Sequence, residues 1–170
     1  VYLLKGVVVS RYLLFISLIF SVVNPVQADS GVHVEITDGN KMLETVNKAI
    51  VNINTQQLKE LLDTDHNIAL IDVRTRDEIV QLGTIRRGQN HNVVRGWLEF
   101  QIGEYAVNYD TPIIVYCGLN QRSPLAAKTL MGMGYTNVKN YSDGYFKWKE
   151  AGLPVTVSDK APISALYSLP

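Results

Sequence analysis

The sequence predicts an α/β fold in which helices flank a central, mainly parallel sheet. Two nearly continuous apolar runs, IALIDVR at 68–74 and PIIVYC at 112–117, are typical of strands buried on both faces. Segments with helical periodicity lie before, between and after them, which indicates βα units. A chain of 170 residues is long enough for one domain with its own core, and its zero formal net charge argues against a general nucleic-acid binder.

The first 28 residues predict a secretory signal peptide that is removed after export. Lys5 and Arg11 are the only charges before Asp29, and an uncharged run of twelve residues, YLLFISLIFSVV, follows Arg11. Ala28 is the predicted last residue removed. The alternative is an uncleaved membrane anchor, but this run is shorter than the roughly 20 apolar residues that span a bilayer. We therefore expect a periplasmic or secreted protein.

The chain after the signal divides into an N-terminal extension at 29–50, a folded domain at 51–157 and a tail at 158–170 without a clear element. The extension carries one weak helical segment, KMLETVNKAI. The domain then opens with a short strand at Val51 and Ile53, followed by a helix with Thr55 as the expected N-cap. Leu58, Leu61 and Leu62 would lie on one face of that helix.

The elements that follow the first apolar strand are marked by caps and glycines. Thr75 precedes acidic residues and predicts the cap of a short helix over TRDEIVQL, with Gly83 and Gly88 marking turns after it. The pattern of WLEFQIGEYAVN predicts an amphipathic helix before the second apolar strand. After Cys117, Ser123 is the expected N-cap and Pro124 the first residue of a helix that ends near Gly134. The segment NVKNY predicts a strand, GYFKWKEAG a short helix closed by Gly152, and LPVTV an extended segment.

The single cysteine follows the second apolar strand and precedes a loop that opens a helix. Backbone N–H groups of residues 118–122 could converge at this point, where the positive end of the helix adds its field, and such a site lowers a thiol pKa. The predicted loop residues are Gly118, Leu119, Asn120, Gln121 and Arg122. Gly118 leaves space for close backbone approach, Asn120 tolerates a left-handed conformation, and Arg122 is a permanent cation. A catalytic Cys117 requires a thiol that solvent reaches and amides directed at its sulfur.

The order of motifs from about Ile53 to Val157 resembles the rhodanese family. IDVRTRDEI, GTIRRGQN, IVYCGLNQRS, GYTNVKNYSDGYFKW and AGLPV are similar to five successive family segments. The resemblance implies a rhodanese fold and sulfurtransferase chemistry of the thiosulfate:cyanide type, in which Cys117 carries a persulfide. The chain departs from the family pattern at Thr84, Arg86, Asn120 and Asp143. The loop has no charge besides Arg122, so thiosulfate itself is a doubtful preferred donor.

Two other functions remain open at this point. Phosphatases of the Cdc25 type resemble this domain, but their loop is one residue longer than the four residues between Cys117 and Arg122, which favours sulfur transfer. A non-catalytic module that senses sulfur or redox state, or binds a partner, is the second alternative. The expected ligands are small sulfur-containing anions or thiols, the expected state is a monomer, and no cofactor or membrane partner beyond the signal segment is expected.

Several residues could instead have structural roles. Asp72 and Arg74 follow the first apolar strand, and we expect them, with Ser123, to support the fold of the site rather than to react. Arg122 could either contact an oxyanion or brace the loop. Trp97 and Trp148 are expected to pack in the core. Arg86, Arg87 and Arg95 could form a basic rim, and the three histidines, His33, His66 and His91, have no spacing typical of a metal site.

Overall fold

A computed structural model describes residues 37–157 of the chain. The predicted signal peptide, residues 29–36 of the predicted N-terminal extension and the predicted tail lie outside these residues, so those assignments stay predictions. Between residues 37 and 157, no helix is both long and apolar enough to cross a membrane.

A five-stranded parallel sheet forms the centre of the domain, as the apolar runs predict. Its strands are β1 (Val51–Ile53), β2 (Ala69–Asp72), β4 (Asn90–Asn92), β5 (Ile113–Tyr116) and β6 (Val138–Tyr141), in the spatial order β1-β6-β5-β2-β4. All neighbouring pairs are parallel. Two short strands, β3 (Thr84–Ile85) and β7 (Val155–Thr156), form a separate antiparallel pair.

Six α-helices accompany the strands within residues 37–157. They are α1 (Gly39–Lys48), α2 (Thr55–Thr64), α3 (Arg76–Leu82), α4 (Leu98–Gln101), α5 (Ser123–Gly132) and α6 (Gly144–Glu150). Successive residues of β5 point to opposite faces of the sheet, because side chains alternate along a strand. Ile113 and Val115 pack with residues of α4 and α5 on one face, whereas Ile114 and Tyr116 pack with α2 and α6 on the other. The sheet therefore separates two apolar cores, and Cys117 belongs to the α4–α5 side.

Two helix starts differ from the sequence prediction. Asn54, not Thr55, is the N-cap of α2, because its side chain accepts from the Gln57 N–H while the Gln57 side chain accepts from the Asn54 N–H. Thr55 is instead the first helical residue. In α5 the N-cap position is Arg122, with helical φ and ψ of −88° and −34°, and Ser123 begins the helix. The N-cap predicted at Thr75 is confirmed. The predicted end of the last helix at Gly152, which has φ of 67°, is confirmed as well.

The prediction of one continuous amphipathic helix over 97–108 is wrong. The chain forms a 3₁₀ turn at Arg95–Trp97, one turn of α4, and a second 3₁₀ turn at Ile102–Glu104. Leu98, Ile102 and Ala106 are still buried, so the apolar spacing is met without a continuous helix. Gly96 and Gly103 weaken helix propagation here.

Trp97 and the strands β3 and β4 were not anticipated correctly. Trp148 is buried as expected, but Trp97 is 60% exposed because it lies on the solvent side of the 3₁₀ turn. The polar sequence of β4, Asn90–Asn92, gives no apolar signal, since an edge strand is only partly covered. In a parallel sheet the carboxyl ends of β2, β4, β5 and β6 meet at one edge, and that edge holds the candidate site.

Candidate active site

Cys117 lies directly after β5, at the base of the loop that leads into α5. The Ser123 hydroxyl donates to its sulfur at 3.5 Å. The backbone N–H groups of Gln121, Arg122 and Ser123 also donate to the sulfur. The predicted anion cradle is thus present, and the amides of residues 121–123 belong to it.

The left-handed conformation predicted for Asn120 is confirmed. With φ of 56°, Asn120 is the only non-glycine residue with positive φ between residues 37 and 157. A left-handed residue reverses the direction of the chain, so the amides that follow it can face back toward Cys117.

The electrostatic balance at Cys117 favours the thiolate. Burial raises the pKa of the Cys117 thiol, but the hydrogen bonds from the Ser123 hydroxyl and from the three amides outweigh burial and lower that pKa below its ordinary value. The thiolate is the form of cysteine that acts as a nucleophile. The hydrogen bonds around Cys117 therefore favour the reactive form of its side chain.

The expectation that solvent reaches the thiol is wrong for this conformation. Cys117 is 1% exposed. The physical reason is that the Cys117 side chain belongs to the apolar core on the α4–α5 side of the sheet, while α6 covers the backbone of Cys117 and Gly118. The neighbouring Leu119 is 66% exposed. In this conformation the residue is covered, so a donor reaches the sulfur only after the packing around Cys117 changes.

Helix α6 is docked on the first turn of the loop. The Tyr145 N–H donates to the Cys117 carbonyl at 2.8 Å, and the Phe146 N–H lies 3.5 Å from the Gly118 carbonyl. Gly144 has φ of 74°, and a Cβ there would lie 2.4 Å from the Gly118 carbonyl oxygen. A Cβ on Gly118 would in turn lie 2.9 Å from the Phe146 ring. Both glycines are required by close approach rather than by flexibility alone.

Arg122 braces the loop against α3. Its Nη1 and Nη2 donate to the two carboxylate oxygens of Glu78 at 2.6 and 2.7 Å. These hydrogen bonds lower the pKa of Glu78 to about 2, and Thr75 contributes as well. Of the two roles left open by the sequence, the structure places Arg122 in bracing, since a bidentate carboxylate occupies one edge of its guanidinium. The charge of Arg122 still acts on Cys117.

Asp72 and Arg74 form a buried ion pair beside the site. Both side chains are fully buried, with Arg74 Nη2 2.6 Å from Asp72 Oδ2. Arg74 also donates to the Gly83 carbonyl at 2.8 Å and lies over the Tyr145 ring, 3.9 Å from its centroid. The Thr84 hydroxyl donates to Asp72 at 3.1 Å. These contacts tie β2, β3 and α6 together, which is the supporting role expected from the sequence.

Three other positions singled out from the sequence form hydrogen bonds within the domain. Asp143 accepts from both the backbone N–H and the hydroxyl of Thr55, at 2.7 and 2.8 Å, and so joins the start of α2 to that of α6. In the proposed basic rim, Arg87 donates to the carbonyls of Leu62 and Asp65. Arg95 donates to Glu99 and to Thr129, each at 2.9 Å. Arg87 and Arg95 are thus engaged within the domain.

Some residues of the site were missed in the sequence. Glu78 was recognised as part of a motif and a helix first turn, but not as the partner of Arg122. Asn140 donates to Asn120, and Phe146 covers Gly118, and no sequence signal identified either contact. The sequence signal for Phe146 is Gly144, which begins the helix that packs on the loop. Among the described residues there is no group of three His, Cys, Asp or Glu side chains that could hold a metal ion.

A family model described as Rhodanese-like domain matches residues 54–151. A thiosulfate sulfurtransferase of Arabidopsis thaliana is 27% identical over 123 residues, which cover 66% of this chain and 88% of the relative. A sulfurtransferase of Allochromatium vinosum is 28% identical over 107 residues, covering 63% of this chain and 95% of the relative. An uncharacterized protein of Rickettsia prowazekii is 29% identical over 120 residues, covering 62% and 96%.

Solved structures have the same fold. A homodimeric polysulfide-sulfur transferase of Wolinella succinogenes matches with a TM-score of 0.62 and 29% identity, covering 69% of this chain and 86% of that one. A protein of Rhodopseudomonas palustris, described as of unknown function and a possible tyrosine phosphatase, matches with a TM-score of 0.64 and 28% identity, covering 71% and 95%. The site geometry and these similarities together lead to a family assignment.

Proposed function

Because this chain belongs to the rhodanese-like family, we propose that it is a sulfurtransferase whose Cys117 carries sulfur as a persulfide. The observation that carries this proposal is the group of four donors, the Ser123 hydroxyl and the amides of residues 121–123, that act on the Cys117 sulfur. Similarity to proteins named sulfurtransferases supports the same class of reaction. The proposed substrates are small sulfane-sulfur anions or persulfides and thiophilic acceptors.

The first half-reaction loads the cysteine. The Cys117 thiolate attacks the outer sulfur of a donor such as thiosulfate, a new S–S bond forms, and sulfite leaves with the electron pair of the broken S–S bond. With a persulfide donor the leaving group is the donor's thiolate. The new persulfide anion is stabilised by the same amides that stabilise the thiolate, which is the reason for a preorganised cradle.

The second half-reaction returns the cysteine to its starting form. An acceptor such as cyanide or a thiolate attacks the terminal sulfur of the persulfide, and the Cys117 thiolate leaves with the bonding pair. Cyanide gives thiocyanate, and no net oxidation or reduction of the protein occurs over the cycle. Two separate half-reactions through a covalent intermediate predict ping-pong kinetics.

Access to the sulfur requires movement of the loop. Cys117 is 1% exposed, so a donor meets it only when residues 118–121 shift outward. Leu119 and Gln121 are exposed, which leaves the outer side of this turn free to move. The Arg122–Glu78 pair and the docked α6 would hold the two ends of the loop during that movement.

A phosphatase is the second candidate, because one structural neighbour is described as a possible tyrosine phosphatase. Two features argue against it here. The loop has four residues between Cys117 and Arg122, and the guanidinium that would bind a phosphate is engaged by Glu78 through two hydrogen bonds. A non-catalytic sulfur- or redox-sensing module would keep the cradle but never release sulfur to an acceptor.

Export to the periplasm or the medium is part of the proposal, and it rests on the sequence of residues 1–28 alone. A separate part of the proposal is that the protein is a monomer. Mass spectrometry of the full chain expressed with its N-terminus in a bacterial host tests cleavage after Ala28, and gel filtration tests the monomer. An uncleaved chain retained in the membrane fraction would contradict export with cleavage.

One experiment separates the functions. The purified protein is incubated first with thiosulfate and then with an organic persulfide, and the intact chain is weighed. The proposal expects a mass gain of one sulfur atom that is absent in Cys117→Ser, and its removal by cyanide with formation of thiocyanate. No sulfur gain from either donor, together with release of phosphate from an aryl phosphate, would replace sulfurtransferase by phosphatase. A gain that no acceptor removes would favour the sensing module.

A further inference from the structure

A buried asparagine connects the central sheet to the active-site loop. Asn140 lies in β6 and is fully buried. Its Nδ2 donates to Asn120 Oδ1 at 2.8 Å and to Asn52 Oδ1 at 2.6 Å. The three asparagines therefore form a chain from the edge strand β1, through β6, to the loop that follows Cys117.

The register of the sheet explains how Asn140 reaches the loop. Asn140 is paired with Val115 of β5 on one side and with Asn52 of β1 on the other. Cys117 comes two residues after Val115, so it emerges toward the same face of the sheet as Val115. The Asn140 amide is thus placed beside the root of the loop, on the face where the loop turns.

The position of Asn140 is otherwise suited to an apolar residue. Val115 and Val138 belong to the apolar core on this face. The Oδ1 of Asn140 is buried and has no hydrogen-bond partner. A buried amide with an unsatisfied oxygen lowers the stability of the fold, whereas an apolar side chain of similar size would not. Stability alone therefore does not explain why an asparagine occupies this position.

The partner in the loop has an unfavourable backbone conformation. Asn120 has φ of 56°, a region that costs free energy for a side chain other than glycine. The side chain of this strained residue accepts the hydrogen bond from Asn140 in the sheet. The residues immediately after the turn, 121–123, are the ones whose amides donate to Cys117.

We propose that Asn140 is a positioning residue for Cys117, which fixes the left-handed turn at Asn120 and thereby directs the amides of residues 121–123 at the sulfur. Its relevance to sulfur transfer rests on the proposed function, but its effect on the thiol does not. Asn140 is uncharged, so replacing it with leucine changes no charge near Cys117 and leaves the charge of Arg122, which acts on the thiolate, in place.

The test measures the thiol without a sulfur donor. The rate of alkylation of Cys117 by iodoacetamide is followed by intact mass from pH 5 to 10 in the wild type, Asn140→Leu, Asn120→Gly and the double variant. Glycine accepts the left-handed conformation but removes the acceptor of the hydrogen bond. We expect Asn140→Leu to move the midpoint of the profile upward by about one pH unit, which is a roughly tenfold lower thiolate population below it.

The double variant decides whether Asn140 acts through Asn120. If it does, Asn140→Leu has no further effect in the Asn120→Gly background, because the shared hydrogen bond is already gone. Asn92→Leu is the matched control, since Asn92 also donates two hydrogen bonds in the same sheet, to the carbonyls of Asp72 and Arg74, but not to the loop. Its profile should equal that of the wild type.

Three results would overturn the proposal. They are a wild-type profile in folded Asn140→Leu, a wild-type profile in Asn120→Gly, and an equal shift on Asn140→Leu in both backgrounds. Folding is monitored by urea denaturation, and Asn120→Gly stays informative if Asn140→Leu does not fold. The sulfur mass gain is measured in parallel. Shifted profiles without any sulfur gain would refute the sulfurtransferase function and leave the positioning role intact, whereas a sulfur gain with unshifted profiles would do the reverse.

Discussion

Arg122 and Glu78, 44 residues apart in the chain, form a two-pronged ion pair that joins the active-site loop to α3, with N···O distances of 2.6 and 2.7 Å. The carboxylate also accepts from the backbone N–H of Thr75, the N-cap of α3, at 2.9 Å. One carboxylate thus closes a helix terminus and anchors the loop that carries the cysteine. The loop end at Arg122 is fixed because its partner is itself fixed.

Glu78→Gln separates these two roles, because glutamine retains the side-chain acceptor of the capping box but loses the charge. We expect the free energy of unfolding at pH 7 to fall by about 1–2 kcal/mol, since the pair is about one-third exposed and solvent screens part of its strength. The measurement is urea denaturation of both proteins.

The pH dependence gives the sign of this contribution. The pKa of Glu78 is lowered from 4.5 to about 2 in the folded state, so its stabilisation is complete above the ordinary carboxyl pKa and is lost as the pH falls toward 2. The difference in unfolding free energy between wild type and Glu78→Gln should therefore shrink from pH 6 to pH 2. A difference that stays constant over this range would show that Glu78 does not act through its charge.

The strands and the position of Cys117 could be predicted from the sequence, whereas the long-range contacts of the site could not. Buried strands such as 68–74 and 112–117 can be recognised from their apolar composition. Because parallel strands bring their carboxyl ends to one edge of the sheet, the position of Cys117 at that edge could be predicted from the sequence. The polar edge strand at Asn90–Asn92 did not, because its pairing is set by the neighbouring strand rather than by its own pattern. Long-range partners such as Glu78 for Arg122 depend on how the loop and α3 face each other, which local patterns do not encode.

Ser123→Ala tests the hydroxyl that donates to the cysteine. Ser123 Oγ lies 3.5 Å from Cys117 Sγ and is one of the groups that lower the thiol pKa. Its removal should raise the midpoint of the pH profile of alkylation and slow alkylation at pH 7 by about threefold to tenfold. Lys128→Ala, an exposed change on the same helix, is the control and should leave the profile unchanged. An unshifted profile in Ser123→Ala would remove the hydroxyl from the cradle.

Gly144→Ala tests the docking of α6 on the loop. A Cβ at Gly144 would lie 2.4 Å from the Gly118 carbonyl oxygen, and φ of 74° is unfavourable for alanine. We expect a loss of about 2–4 kcal/mol in the free energy of unfolding. Gly132→Ala is the matched control, because that helical glycine has no neighbour within 4 Å of the added Cβ and should gain up to about 1 kcal/mol. Equal effects of the two changes would contradict a close contact between α6 and the loop.

Phe146→Ala tests how the buried thiol is reached. The Phe146 ring lies against Gly118, at 2.9 Å from the position of an added Cβ, and Cys117 is 1% exposed. If movement of this turn limits access, a bulky maleimide should react much more slowly than iodoacetamide with the wild type, and Phe146→Ala should narrow that difference by opening space beside Gly118. The ratio of the two rates cancels any change in thiol pKa, because both reagents need the same thiolate. An exposed apolar change on the other side of the loop, Leu119→Ala, provides a comparison for surface effects. A wild-type ratio close to that of free cysteine would mean that the loop opens freely and that the packing of Phe146 on Gly118 does not control entry.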